Sequence, residues 1–385
     1  MKTEEPPIRL NGNAFVQALQ GKTVKDESGQ SFAFEKNFRD SIIVRNVVVT
    51  SKVLIKEGEI FRYPIRIEGG IFEESFRIYK NCIFQKAFGI WGGCFQKDFC
   101  IYEGTFLKEL WLAGGTFEHN FKIAGGTFEQ EFRIWKGIFE KSFRIEGGTF
   151  EDCFKILGGT FEETVRITGG TFGKDVSIWG GFFENTFRIE GGTFEEDFRI
   201  SGGYYEKNFR ITGGVFEKCF GMWGGTFESS LVVLGGIFKQ SFSIWEASID
   251  EGLIIDGEAK EKMFLMQEFH VEDSILFDIK LRYLPINRVT FKGTLTADRS
   301  ILMYQVSCEE LIFDHFTNKG KITCYGLRTT KEKKKEAKKL VQITNSDLGD
   351  ASFFDTDFSA FEQLQQSAPE LKEIHTEGWY VPYSK

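Results

Sequence analysis

A Gly-Gly pair, or a near copy of one, returns every eleven residues between Ile65 and Gly257, and nothing else in the chain constrains its fold as tightly. Inside a helix each pair would cost about 2 kcal/mol relative to alanine. At a strand-to-strand turn the same residues supply backbone conformations that a Cβ forbids. The units are variants of one phrase: FRIEGGTFEED from Phe187, FRISGGYYEKN from Phe198, FRITGGVFEKC from Phe209. Eighteen such units start between Ile65 and Leu253, with one inserted residue before Phe88. Alternation in Phe-x-Ile puts positions one and three on the same side of an extended segment, and a second short strand carries the Phe of Thr-Phe-Glu inward.

This accounts for the composition. The chain has 43 Phe and 42 Gly among 385 residues but only 6 Pro, a skew that signals one repeat array rather than several compact domains. The expected fold is all-β: a parallel β-helix, or β-solenoid, of short stacked strands. An eleven-residue coil would leave little room for its phenyl rings, whereas a 22-residue coil of two units encloses six large residues. Alternate units would then lie on opposite sides, and their outward chemistry differs as that requires. The fourth position of every second unit reads Glu68, Trp91, Ala113, Trp135, Leu157, Trp179, Ser201, Trp223, Trp245. The other column reads Tyr79, Tyr102, Ala124, Glu146, Thr168, Glu190, Thr212, Leu234, Asp256, with no Trp. Gly89, Ser177, Gly221 and Ser243 stand two residues before four of the indoles, small enough to let a large ring lie flat. About nine coils are expected over residues 65–257.

The flanks are less regular. Residues 1–64 read as an N-terminal cap with degenerate coils, because a solenoid end needs a cover for its open core and strand edge. Residues 258–330 read as degenerate coils after a short helical interruption at EAKEKMFLMQEF. Residues 331–340 form a Lys-rich loop or short helix, in which Lys331, Lys333, Lys334, Lys335, Lys338 and Lys339 make a solvated run or a phosphate-contacting patch. No aromatic residue interleaves that run, so base stacking has no support. Residues 341–385 complete the chain with one more coil and a C-terminal cap or tail that contains Trp379.

Within that last segment, NSDLGDASFFDTDFSAF repeats every five residues: Ser346, Ala351 and Thr356 share one position, and Leu348, Phe353 and Phe358 the position two later. This stretch, Ser346 to Phe361, resembles the pentapeptide-repeat family, whose quadrilateral β-helix turns a small residue and a Leu or Phe inward on each side. The resemblance covers about one coil. It implies a β-helix and, since some members of that family mimic nucleic acid, raises the reading of an acidic binder of a DNA-handling protein.

Chemistry is sparse. The 4 His (119, 270, 315, 375) are far apart, the 7 Cys lack zinc spacing or a disulfide framework, and no nucleophile-elbow, P-loop or zincin motif occurs. The Glu after each Phe (Glu129, Glu140, Glu151, Glu162, Glu184, Glu195, Glu206, Glu217) recurs along the array, whereas acid/base catalysis needs a singular pair in contrasting environments. Thr149, Thr160, Thr171 and Thr193 lie too close to charge for a flat ice-binding array. No catalytic residue, cofactor or metal site is therefore expected.

The net charge of −8 comes wholly from residues 65–257, which hold 28 acidic and 20 basic residues, so nucleic acid is not expected as a direct ligand. The start MKTEEPPIRL has no apolar signal region and no membrane segment is visible, which gives a cytoplasmic expectation. The expected function is a non-enzymatic scaffold or protein-protein interaction module, which meets a protein partner or a second copy through Trp91, Trp135, Trp179, Trp223 and Trp245. The alternatives are the acidic mimic and a carbohydrate-binding or carbohydrate-processing β-helix. An enzyme of the last kind would carry a carboxylate cluster off the repeat pattern in residues 264–385.

Overall fold

A computed structural model describes residues 6–37, 40–257, 264–275, 277–329, 341–344, 346, 348 and 351–354. The protein is a parallel β-solenoid with about 22-residue turns and about 13 coils. The chain divides into two compact units, residues 1–196 and 197–385.

In the first unit the coils from Ile65 to Phe139 are built from strands of three or four residues alternating with strands of two, and from Phe143 on one side of each coil runs together as an eight-residue strand, as in Phe143–Phe150 and Val165–Phe172. Register follows the repeat: Phe121, Ile123 and Ala124 lie under their counterparts in the neighbouring coil, with Phe99 pairing Phe121 and Phe121 pairing Phe143. Residues 22 apart are thus neighbours in space, and the two-unit coil is what the alternating columns required.

Phenyl rings fill the inside in ladders. Phe72, Phe95, Phe117, Phe139, Phe161 and Phe183 stack face to face with centroids 4.5, 4.9, 4.9, 4.8 and 4.9 Å apart. These spacings match the separation of hydrogen-bonded strands, so ring stacking and the backbone ladder reinforce one another. A second ladder meets the first edge-on, as Phe121 does against Phe117 at 5.3 Å and 85°. Gly126 shows why the turns demand glycine: its φ is +98°, and a Cβ there would lie 2.8 Å from the Gly104 carbonyl oxygen of the coil beneath.

Within residues 1–64, where a cap is expected, the described residues hold one helix, Gly12–Leu19. Asn11 begins it, its side chain accepting a hydrogen bond from the Ala14 amide at 2.9 Å. Phe15, fully buried, then sets its edge on Phe72, the first ring of the ladder, at 5.4 Å and 82°. The helix thereby covers ring faces that the open coil would leave to water. Coils already begin ahead of the regular repeats, since Ile42–Val44 pairs with Ile65–Ile67.

The second unit keeps the architecture with a changing core. Phe198, Phe220 and Phe242 still stack, at 5.1 and 4.9 Å. Beyond them Phe242 and Phe269 are 6.0 Å apart and tilted, and aliphatic side chains such as Val289, Leu311 and Ile286 share the interior with Phe291 and Phe313, which stack at 5.6 Å. The helical interruption expected at EAKEKMFLMQEF is corrected over its second half. Phe264–Glu272 is a strand that pairs with Leu231–Trp245, while residues 258–263 lie outside the described set. Pairing on both edges overrides the helix propensity of Leu and Met, because sheet burial decides what propensity only biases. Leu348, Ala351 and Phe353, from the five-residue pattern, are buried, and Ala351 and Phe353 pair with Ile322 and Cys324. The lysines Lys331, Lys333, Lys334, Lys335, Lys338 and Lys339 and the tail with Trp379 fall outside the described residues.

Candidate interaction surface

Trp135, Trp179, Trp223 and Trp245 each end a strand, where the chain turns a corner, whereas Trp91 follows the strand Phe88–Ile90. In the first unit Trp135 closes the strand Phe132–Trp135 and Trp179 closes Val176–Trp179. They are 46% and 58% exposed. Trp135 pairs with Leu157 and Leu157 with Trp179, so the three stand in register on consecutive coils. Backbone bonds lace this corner together: the Lys136 amide donates to Leu157 O at 3.1 Å and the Gly158 amide to Trp179 O at 2.8 Å.

Across the corner runs a second column, apolar at two of its three positions. Ile138, Thr160 and Phe182 also stand in register on the same three coils, with Ile138 42% and Phe182 38% exposed. Two columns of three give a patch of Trp135, Leu157 and Trp179 beside Ile138, Thr160 and Phe182. The signal lay in the sequence: both units that place an exposed Trp at the fourth position also replace the usual Thr at the seventh with a large apolar residue. At the patch edge Lys136 adopts φ +63° and brings its ammonium 5.4 Å from the Trp135 ring centroid.

Trp91 belongs to the same column but is engaged. The Arg66 guanidinium lies over its ring at 4.4 Å, and Trp111 meets it edge-on at 5.6 Å. Trp111 was missed because it occupies the second position of its unit, directly across from Gly89. In the second unit Trp223 and Trp245 are half-buried and stack at 4.8 Å. The expected role of small neighbours holds at Gly89 and Gly221, where an added Cβ would lie 2.7 Å from Trp91 Nε1 and 2.5 Å from the Trp223 ring. Ser177 and Ser243, beside Trp179 and Trp245, are buried.

The Trp-free side of the first unit carries ion pairs. Lys122 and Glu146 are 2.5 Å apart, and Glu190 lies between Arg166 and Arg188 at 3.7 and 3.8 Å. On the other side Glu131 binds Lys155 at 2.5 Å and also Arg133.

Off the repeat pattern, in the second unit, Arg288 bridges two carboxylates, donating from Nη1 to Glu268 at 3.1 Å and from Nε to Glu310 at 2.8 Å. His270 meets the same Glu268 at 3.0 Å. The two carboxylates hold the Arg288 guanidinium in its charged form and raise its pKa, chiefly through the Glu310 bond. Among the described residues no group of three or more His, Cys, Asp or Glu is placed to hold a metal ion. Nor is any described helix long and apolar enough to cross a membrane.

The fold and this surface define the chain as a β-solenoid repeat protein. No protein-family model, curated protein or solved structure matches it.

Proposed function

We propose that the protein is a non-enzymatic interaction module whose solenoid presents the Trp-bearing corner of residues 132–183 to a protein partner. The observation that carries this reading is the two-by-three patch, four of whose six side chains are large, apolar and exposed. Contiguous apolar surface of that kind, stiffened by a hydrogen-bonded backbone, costs little entropy to dock. Trp supplies the burial that dominates protein interfaces. Trp91, already covered in part by Arg66 and Trp111, takes a supporting place in this scheme, while Trp223 and Trp245 of the second unit cover each other.

The acidic-mimic reading would need segregated negative charge, and the bracketing of Glu131 and Glu190 by cations supports the aromatic reading instead. The buried Leu348, Ala351 and Phe353 support a pentapeptide-like final coil, which bears on architecture and leaves the proposed function on the Trp corner.

A photo-crosslinking amino acid placed at Leu157 tests the proposal. It should capture a protein, whose mass distinguishes a foreign partner from a second copy, while the same group at Thr168 on the Trp-free side should not. Equal capture from both positions would remove the reading.

A further inference from the structure

The first unit contains a second feature, on its Trp-free side, that the repeat does not account for. Most corners there take three residues, as in Tyr102-Glu103-Gly104 between Ile101 and Thr105. Two successive coils carry a fourth: Lys56-Glu57-Gly58-Glu59 between Ile55 and Ile60, and Tyr79-Lys80-Asn81-Cys82 between Ile78 and Ile83. The strands on either side stay in register, Ile55 with Ile78 and Ile60 with Ile83, so each extra residue bulges outward. Asn81 takes up the turn at φ +59°, and Cys82 folds inward, its Sγ donating to the Lys56 carbonyl at 2.8 Å.

Beside the widened corner lies an open cleft of about 530 Å³ lined by Lys56, Glu57, Arg77, Tyr79, Lys80, Tyr102 and Glu103. That volume falls within the roughly 300–1,000 Å³ of small-molecule sites. One wall is aromatic: Tyr79 and Tyr102 stack with centroids 5.9 Å apart and planes 23° from parallel. Tyr79 beside Arg77 favours its charged form, while the Arg77 Nε is buried without a hydrogen-bond partner. Among the described residues neither Arg77 nor Lys56 joins an ion pair, whereas Lys80 faces Glu57 at 3.8 Å. Glu103, at φ +57°, likewise has no cation partner among the described residues.

These groups select a ligand class. Arg77, whose Nε is unpartnered, and Lys56, whose charge Glu59 shares, call for an anion. The aromatic wall calls for a flat apolar face, and the carboxylate of Glu103 calls for hydroxyl donors while repelling a phosphate dianion. We propose that the cleft binds an acidic sugar, with one ring of a hexuronate on the Tyr79 wall, its carboxylate on Arg77 and Lys56, and its hydroxyls toward Glu103 and the tyrosine phenols. The ligand would be held without being cleaved, and its site is separate from the Trp corner.

Calorimetric titration of the full chain with trigalacturonate, its methyl ester and inorganic phosphate tests this. Trigalacturonate should bind saturably. The ester, which keeps the sugar and loses the charge, should bind at least about tenfold more weakly, as expected for losing charge-assisted hydrogen bonds. Phosphate should give no saturable heat. Arg77→Gln and Tyr79→Ala should each weaken trigalacturonate at least about tenfold with an unchanged circular dichroism spectrum, while Trp135→Ser should leave it unaltered. Lys56→Gln, on the exposed turn, supplies the same charge loss if Arg77→Gln does not fold. Equal binding of acid and ester, saturable binding of phosphate, indifference to the cleft substitutions, or no trigalacturonate binding up to about 10 mM would each overturn the proposal.

Discussion

Trp223 stacks on Trp245 of the next coil with ring centroids 4.8 Å apart and planes 12° from parallel, and the pair lies flat on the second unit because Gly221 has no side chain to hold it off. Gly221 and Ser243, directly paired beneath the indoles, are both buried. At this pair the aromatic column is therefore built two positions deep: the Trp223 ring rests on its small neighbour.

Gly221→Ala tests that dependence. The new methyl would lie 2.5 Å from the Trp223 ring, which must swing outward and leave Trp245. The expected loss is about 1 kcal/mol, the worth of an aromatic pair, with a red shift in tryptophan emission. Unchanged emission and stability would show that the ring does not rest on Gly221.

The interior ladder predicts a larger effect. Phe139 stacks between Phe117 and Phe161 and is met edge-on by Phe143 at 5.2 Å. Phe139→Ala should cost about 3–5 kcal/mol by urea denaturation. Because each coil contacts only its neighbours, the transition should also broaden as the two flanking segments lose their coupling. A cost below about 1 kcal/mol would contradict continuous ring packing.

Burial pushes the thiol of Cys82 up to about 11 and that of Cys308 up to about 12. An unfolded chain ionises its thiols near about 8.5, so above that pH the unfolded state binds fewer protons than the folded one. These two groups therefore stabilise the fold fully below about pH 8.5 and lose that contribution as the pH rises toward their folded values. Urea midpoints between pH 8 and 11 should fall less steeply for Cys82→Ala/Cys308→Ala than for the wild type. Identical slopes would show that the thiols are not shielded.

The coil was legible in sequence because identical units force one register, and the two outward columns could be sorted by counting. The patch was half legible. Reading only the fourth position found Trp135 and Trp179 and missed Ile138 and Phe182, since a seventh-position residue belongs to the next strand and meets the indole only after the corner is turned. Phe264–Glu272 was misread because its Met and Leu favour helix locally and only pairing with a strand some thirty residues earlier decides otherwise. The Tyr79–Tyr102 cleft was hidden for a similar reason. One inserted residue looks like noise along the chain, and its meaning emerges only when two such corners stack.

The central claim is that exposed indoles at the Trp135–Trp179 corner bind another protein. Its most direct test is the affinity of Trp135→Ser/Trp179→Ser for the partner captured from Leu157. The double variant should bind at least about 100-fold more weakly, as for the loss of interface hot spots, with circular dichroism and thermal midpoint unchanged because both rings are exposed. Wild-type affinity in a folded double variant would contradict it.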